Sequence, residues 1–209
     1  MSQASDLRRL IATELAEVHT CLPGKIVSFD GHAAVVAPAL SKALSSGEAL
    51  SAPSIVSVPV HFPRGMAGRA TISVPLAAGD DVTLHFSERA LENWLSGTDG
   101  EPGDPRMFDL SDAFATPVCR PGVQQVDTEN LVVQFGSASI TISPAGDITI
   151  TASGAASISA PAGLTIDADV LLRGKLDATG DVTADGVSLI EHITTGVTPG
   201  TGSSGKPQK

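Results

Sequence analysis

Residues 200–207, GTGSSGKP, place two glycines and a lysine at the spacing of a phosphate-binding loop, in which backbone N–H groups cradle phosphate oxygens. Pro207 stands where a Ser or Thr would hold magnesium, so these residues read better as a Gly-rich tail. Glu88, Glu92 and Glu101 offer carboxyls for a glycosidase pair. Such a pair needs a cleft with its two carboxyls in contrasting environments, and the strand-rich regions on either side leave no room for a hydrolase domain. Solvated surface carboxylates are the better account. His19, His32, His61 and His85 are scattered over strand and turn positions, without Cys or carboxylate partners at metal-like spacing, and are read as structural. Arg64 and Arg69, in PRGMAGR, either neutralise an acidic partner surface or face solvent. Cys21 and Cys119 lie near the two ends of the central region and could approach each other in a closed barrel; two thiols in a reducing compartment are the expectation. No catalytic constellation emerges, and the chain is read as non-enzymatic.

The elements that carry these residues are dominated by a repeat in the last third of the chain. Ile140, Ile148, Ala156, Leu164 and Leu172 recur every eight residues, and Ile142, Ile150, Ile158 and Ile166 follow two positions later. A spacing of two puts both apolar side chains on one face of a strand, with Ser, Thr and Asp on the other. Turn-forming stretches such as Pro144-Ala145-Gly146-Asp147 and Pro161-Ala162-Gly163 separate the units. This is the period of a β-solenoid. A single chain with three short strands per coil would need about 24 residues per coil, so residues 133–187 would make only two or three, close to the minimum for a stable stack. Three chains wound about one axis solve this differently: each contributes one strand per level, and every level closes without a free edge. The expectation is an intertwined trimeric β-helix, a stiff and narrow rod.

Composition agrees with a mainly β chain: 21 Gly and 14 Pro punctuate short runs rich in Val, Ile and Thr, and aromatics at 3% are thin for a large globular core. A length of 209 residues allows one or two domains. The formal charge of -10 argues against nucleic acid and against docking on an anionic membrane, which leaves proteins as the expected partners. No run approaches the roughly 18 apolar residues of a membrane-spanning helix, and the start MSQASDLRR does not resemble a signal peptide, so synthesis in the cytoplasm is expected.

Along the chain, residues 6–19 predict an amphipathic helix with Leu7, Leu10, Ile11, Leu15 and Val18 on one face, Ser5 as N-cap and Pro23-Gly24 after its end. So short a helix is marginal alone, so its stripe should pack on the next domain or on a partner helix. Strands are expected at 25–29 and 32–37 around an Asp30-Gly31 type I′ turn, and at 54–60, 70–74 and 81–86. Five strands with uneven loops fit a small OB-type barrel, with a sandwich as the alternative. Residues 87–95 look briefly helical, and 97–105 form a Gly, Asp and Pro loop. The division is an N-terminal helix at 1–19, an OB-fold domain at 20–125, a triple-stranded β-helix at 126–187 and a tapered tip at 188–209.

The runs CLPGKIVSFD, VPVHFPRGMAGRATISVPLAAGDDVTLHFSERALENWLSG and RMFDLSDAFATPVCRPG resemble the N-terminal OB domain of the central spike, or membrane-piercing, proteins of contractile bacteriophage tails. The ending GKLDATGDVTADGVSLIEHITTGVTPGTGSSGKP is similar to the tip of spikes of the baseplate assembly protein V type. Together the two resemblances span most of residues 20–207. They imply a homotrimer in the virion, assembled in the host cytoplasm. Its OB domain would attach to the tail-tube hub of the baseplate, and its apex would meet the host outer membrane first. Many spike tips of this type carry His-x-His after Ser-Leu, so that three chains present six imidazoles to an axial iron ion. Here the motif reads His192-Ile193-Thr194, which leaves one imidazole per chain. Three His192 side chains suffice for zinc or iron if water or an anion completes the shell. The alternative is a tip histidine that packs or hydrogen-bonds without metal.

The functional expectation is therefore mechanical: a trimer that caps the tail tube and is driven through the outer membrane when the sheath contracts. The competing readings are a tail-associated cell-envelope hydrolase, and a spike of the same architecture in a contractile bacteriocin or secretion system.

Overall fold

A computed structural model of the chain describes residues 3–44, 46–120, 122, 125–193, 195–196 and 200. The elements of the first part are helix α1 (Gln3–Leu15), then strands β1 (Cys21–Phe29), β2 (Ala33–Pro38), β3 (Lys42–Ala43), β4 (Ala49–Leu50), β5 (Ile55–Pro59), β6 (Arg64–Gly65), β7 (Ala70–Thr71) and β8 (Asp81–Phe86). Helix α2 (Glu92–Leu95) and strand β9 (Ala113–Pro117) follow. A meander of β10 (Leu131–Phe135), β11 (Ala138–Ile142) and β12 (Ile148–Thr151) comes next, and a last hairpin pairs β13 (Thr183–Ala184) with β14 (Val187–Ser188). The chain divides into two compact units, Met1–Thr151 and Ala152–Lys209.

The first unit is built on a five-stranded antiparallel sheet in the order β5-β2-β1-β8-β9. Period-two alternation sends Val82, Leu84 and Phe86 of β8, Ala34 and Val36 of β2, and Ala113 and Ala115 of β9 into one core with Ile26, Ile55 and Val58. The sheet curves until its edges touch: Val60, just past β5, bridges Ala115 of β9 in parallel, and the His61 amide donates to the Ala115 carbonyl at 2.8 Å. This half-barrel fits an OB-like fold.

Two irregularities bend the strands. Ile26 and Ser28 of β1 oppose the adjacent Val36 and Val35, which inserts one extra residue. On β5, Val58 and Ile55 oppose Ala34 and Val36, and Ser57 takes a left-handed φ of 58°, which allows two side chains three positions apart to face the same core. Gly24 of β1 has a packing reason to be glycine. A Cβ there would lie 2.7 Å from Val36 Cγ1 and 3.2 Å from Leu84 Cδ1.

Several elements differ from the sequence reading. The fifth strand of the sheet is Ala113–Pro117, whereas the run expected at 70–74 contributes only Ala70–Thr71, paired with Arg64–Gly65. Helix α1 starts earlier than expected and its stripe packs on nothing, since every described residue of α1 is exposed. The Asp30-Gly31 turn is not type I′. Only Gly31 has positive φ there, and the Asp30 carboxylate closes the turn by accepting from the amides of His32 at 2.7 Å and Ala33 at 2.8 Å.

In the meander, Leu131, Val133, Ile140, Ile142, Ile148 and Ile150 share one face, because they sit directly opposite one another in the register. That face is largely uncovered, with Ile150 70% and Phe135 75% exposed. The turns at Pro144-Ala145-Gly146-Asp147 and Pro161-Ala162-Gly163 lie where the repeat places them, each with its glycine at positive φ. From 152 to 182 no strand pairs within the chain among the described residues. No described residue from 152 onward is buried, and Ile158, Leu164, Ile166 and Leu171 are all more than half exposed. No described helix is long and apolar enough to cross a membrane.

Candidate functional site

The hairpin that carries His192 is set by its turn. Asp185 and Gly186 both take left-handed φ, 49° and 80°, the requirement of a two-residue type I′ loop between Ala184 and Val187. The Leu189 amide closes back on the Val182 carbonyl at 2.8 Å. After β14 the Ser188 hydroxyl oxygen accepts from the amides of Ile190 at 3.1 Å and Glu191 at 2.7 Å, and the Asp181 carboxylate also accepts from Ile190 at 3.2 Å. A side-chain hydrogen bond from Ser188, reinforced by backbone amides, holds the Asp181 carboxyl below its usual range.

This loop orients His192. Its Nδ1 lies 3.1 Å from the carbonyl oxygens of both Ser188 and Leu189. Carbonyls only accept, so Nδ1 is the donor to them, and in the neutral imidazole Nε2 is then the nitrogen that offers a lone pair. A backbone carbonyl fixing one ring nitrogen while the other keeps its lone pair is the arrangement found around metal-bound histidines. The side chain is exposed. Within one chain no group of three His, Cys, Asp or Glu converges among the described residues, so a metal at His192 would have to draw its further donors from other copies or from solvent. Thr194 and residues 201–207 lie outside the described residues.

The other candidates take structural places. Glu92 is tied to Arg106 at 3.4 Å and accepts the Gly103 amide at 3.1 Å; Glu88 lies 3.7 Å from its neighbour Arg89. Asn93 donates its side-chain amide to the Glu101 carbonyl. His61 stacks on Phe114 with ring centroids 4.6 Å apart, and Trp94 meets the same ring edge-on at 5.5 Å. His19 packs edge-on against Phe86. Arg64 and Arg69 flank a turn in which Met66, Ala67 and Gly68 all have positive φ, and Met66 is exposed at its tip. Cys21 and Cys119 are both exposed.

Sequence reasoning missed one polar centre. Asp112, only 3% exposed, accepts from Arg106 through both oxygens, Nε to Oδ2 at 2.6 Å and Nη2 to Oδ1 at 3.0 Å, and from the Leu91 amide at 2.9 Å. Asp112 and Asp104 together raise the Arg106 pKa, so that its charge is permanent. The network clamps the loop between β8 and β9. The signal in the sequence is thin: an Arg six positions before an Asp in a turn-rich stretch.

The extent of the sheet corresponds to a known domain. Residues 22–118 match the family model of the phage protein Gp138 N-terminal domain. The match runs from the second residue of β1 to one residue past β9, so it takes in all but the first residue of the five-stranded sheet, the Asp112–Arg106 clamp and the Arg64–Thr71 hairpin. It supports a phage structural protein with a virion-associated place. Residues 119–209, with the meander, the repeats and His192, lie outside the matched region. No curated protein matches the sequence.

Proposed function

We propose that the chain is the central spike of a contractile phage tail: a homotrimer attached to the baseplate hub by its Gp138-type domain and driven through the host outer membrane by sheath contraction. The observation that carries this reading is the uncovered apolar register. Ile140, Ile148, Leu164 and Leu172 on one register, with Ile150, Ile158 and Ile166 on the other, are all exposed in a single chain. No strand is described in residues 152–182, so this stretch has no ladder partner in its own chain. Ordering such a segment costs about 1–2 kcal/mol per residue in backbone entropy, and a lone chain buries nothing there to offset it. Three copies wound as a β-helix supply both the missing ladder partners and the missing core.

The side-chain contacts of the candidate acids favour a mechanical role over a hydrolytic one. Two of the three candidate carboxylates have partners, Glu92 with Arg106 and the Gly103 amide and Glu88 with Arg89. Light scattering of the purified full chain should give about three times the 21.2 kDa chain mass. A single-chain mass would sink the proposal.

At the tip, the tautomer of His192 suits a metal bound through Nε2 by three copies. Zinc and iron both accept imidazole nitrogen. Elemental analysis of the trimer should find metal in the native protein and lose it in His192→Ala, and equal content in both would remove the site.

A further inference from the structure

Two apolar surfaces of the Met1–Thr151 unit are unfilled, and they suit each other. One is the stripe of α1, where Leu7, Leu10, Ile11 and Leu15 are each about half exposed or more. The other is a cleft of about 1010 Å³ at the root of the same helix, lined by Val18, Leu22, Leu40, Leu50, Met107 and Leu110 among others. Leu22 and Leu110 join its floor to the barrel core, while Leu40, Leu50 and Met107 on its walls are all more than half exposed. Its charged lining is mixed, with Glu17 and Asp109 beside Lys42 and Arg106, and α1 is likewise mixed, with Asp6 and Glu14 beside Arg8 and Arg9. Neither surface repels the other.

A helix cannot readily fill the cleft at its own root. The last helical turn runs on to Val18, whose amide donates to the Leu15 carbonyl, and β1 begins at Cys21. That junction is pinned: Lys42 Nζ bonds the Ala16 carbonyl at 3.2 Å and Glu17 Oε1 at 3.1 Å, and the His19 amide donates to the Phe108 carbonyl. To bring Leu7–Leu15 into the cleft the chain would have to break these bonds and reverse direction within a few residues. A helix from another copy meets no such constraint.

We infer that the cleft receives α1 of a second copy of this chain. Each copy passes its N-terminal helix to the next, a head-to-tail contact that closes into a ring of three. The inference rests on the three-chain reading above and adds to it a second, N-terminal tie between subunits.

Cys21 is exposed and lines the cleft, so the chain carries its own probe. In full-length protein with Cys119→Ser, Leu7→Cys and Ile11→Cys are made separately, oxidised with copper–phenanthroline at low protein concentration and run on non-reducing gels. At least one should give covalent species of two and three chains that vanish on reduction and on adding Cys21→Ser. Thr13→Cys, about 200° around the helix from Ile11, should stay monomeric on the gel. If neither Leu7→Cys nor Ile11→Cys links chains in a solution whose scattering mass is that of three chains, arm exchange is overturned and the spike reading stands. Linking by Thr13→Cys as strong as by Ile11→Cys also overturns it. A single-chain mass overturns both.

Discussion

Asp112 ties together the loop between β8 and β9 of the matched domain. A carboxylate 3% exposed would be costly to bury alone, and it is held by a two-point Arg106 contact and the Leu91 amide. Arg106 in turn reaches Asp104 at 2.9 Å and Glu92 at 3.4 Å, so one guanidinium gathers three carboxylates of the β8–β9 connection. Removing the centre leaves a buried amide and part of an arginine without partners, and hydrogen bonds to charged groups are worth about 1.5–3 kcal/mol each. Because Arg106 is about a third exposed, water recovers some of that loss. Asp112→Ala should therefore destabilise the domain by about 2–3 kcal/mol, read as a lower denaturant midpoint in the fluorescence of Trp94, the only tryptophan, which packs on Phe114 of β9. An unchanged midpoint would show that the clamp is decorative.

Among the elements, the β13–β14 hairpin makes the sharpest statement about pH. Asp181 is held below its ordinary pKa, first by the Ser188 hydroxyl and then by the backbone amides after β14. A group whose folded pKa is depressed contributes stability above its unfolded value, near 3.9 for aspartate, and loses it as pH falls through the folded value. The hairpin should hold from about pH 5 to 8 and loosen only in stronger acid, taking with it the carbonyls that orient His192. Protection of the Ile190 and Glu191 amides, taken relative to the intrinsic exchange rate at each pH, should fall below about pH 4 in the native chain, and Asp181→Asn should flatten that step. Much of this level was legible in the sequence, with instructive gaps. The eight-residue spacing located the turns at Gly146 and Gly163 because glycine at positive φ is a local requirement. The same rule misassigned the type I′ turn: Asp30-Gly31 has the right residues, but β1 and β2 are joined at Phe29↔Ala34, too wide for a two-residue loop. Asp185-Gly186, with Ala184 opposite Val187, has the right width. Strand β9 went unread because its inward residues are Ala113 and Ala115, small side chains chosen by the tight barrel seam, not by strand propensity. The α1 cleft was invisible because it joins residues far apart in the chain, and the Asp112 clamp because an Arg six positions before an Asp in a turn-rich stretch does not announce a buried pair.

For the whole molecule, the two compact units make unequal demands on partners. The Met1–Thr151 unit has a core of its own, with Val36, Val82, Leu84 and Ala115 fully buried. The described part of Ala152–Lys209 buries nothing, although its apolar side chains keep a strict register. Fully burying an Ile or Leu is worth about 1.5–3 kcal/mol, and in a three-chain wind each register position counts three times over. The same arithmetic makes the register fragile to charge, because an aspartate turned into that core would cost several kcal/mol in every chain. In the proposed trimer, backbone amides of 152–182 that lack partners within their own chain should exchange slowly in the native protein, because there the ladder bonds would run between copies. Ile158→Asp with Ile166→Asp should return those amides to fast exchange, while Trp94 fluorescence keeps the unfolding midpoint of the barrel, whose core these residues do not touch. Fast exchange of residues 152–182 in the unmodified protein would mean that the repeats are not wound together, and the spike reading would lose the physical basis on which it stands.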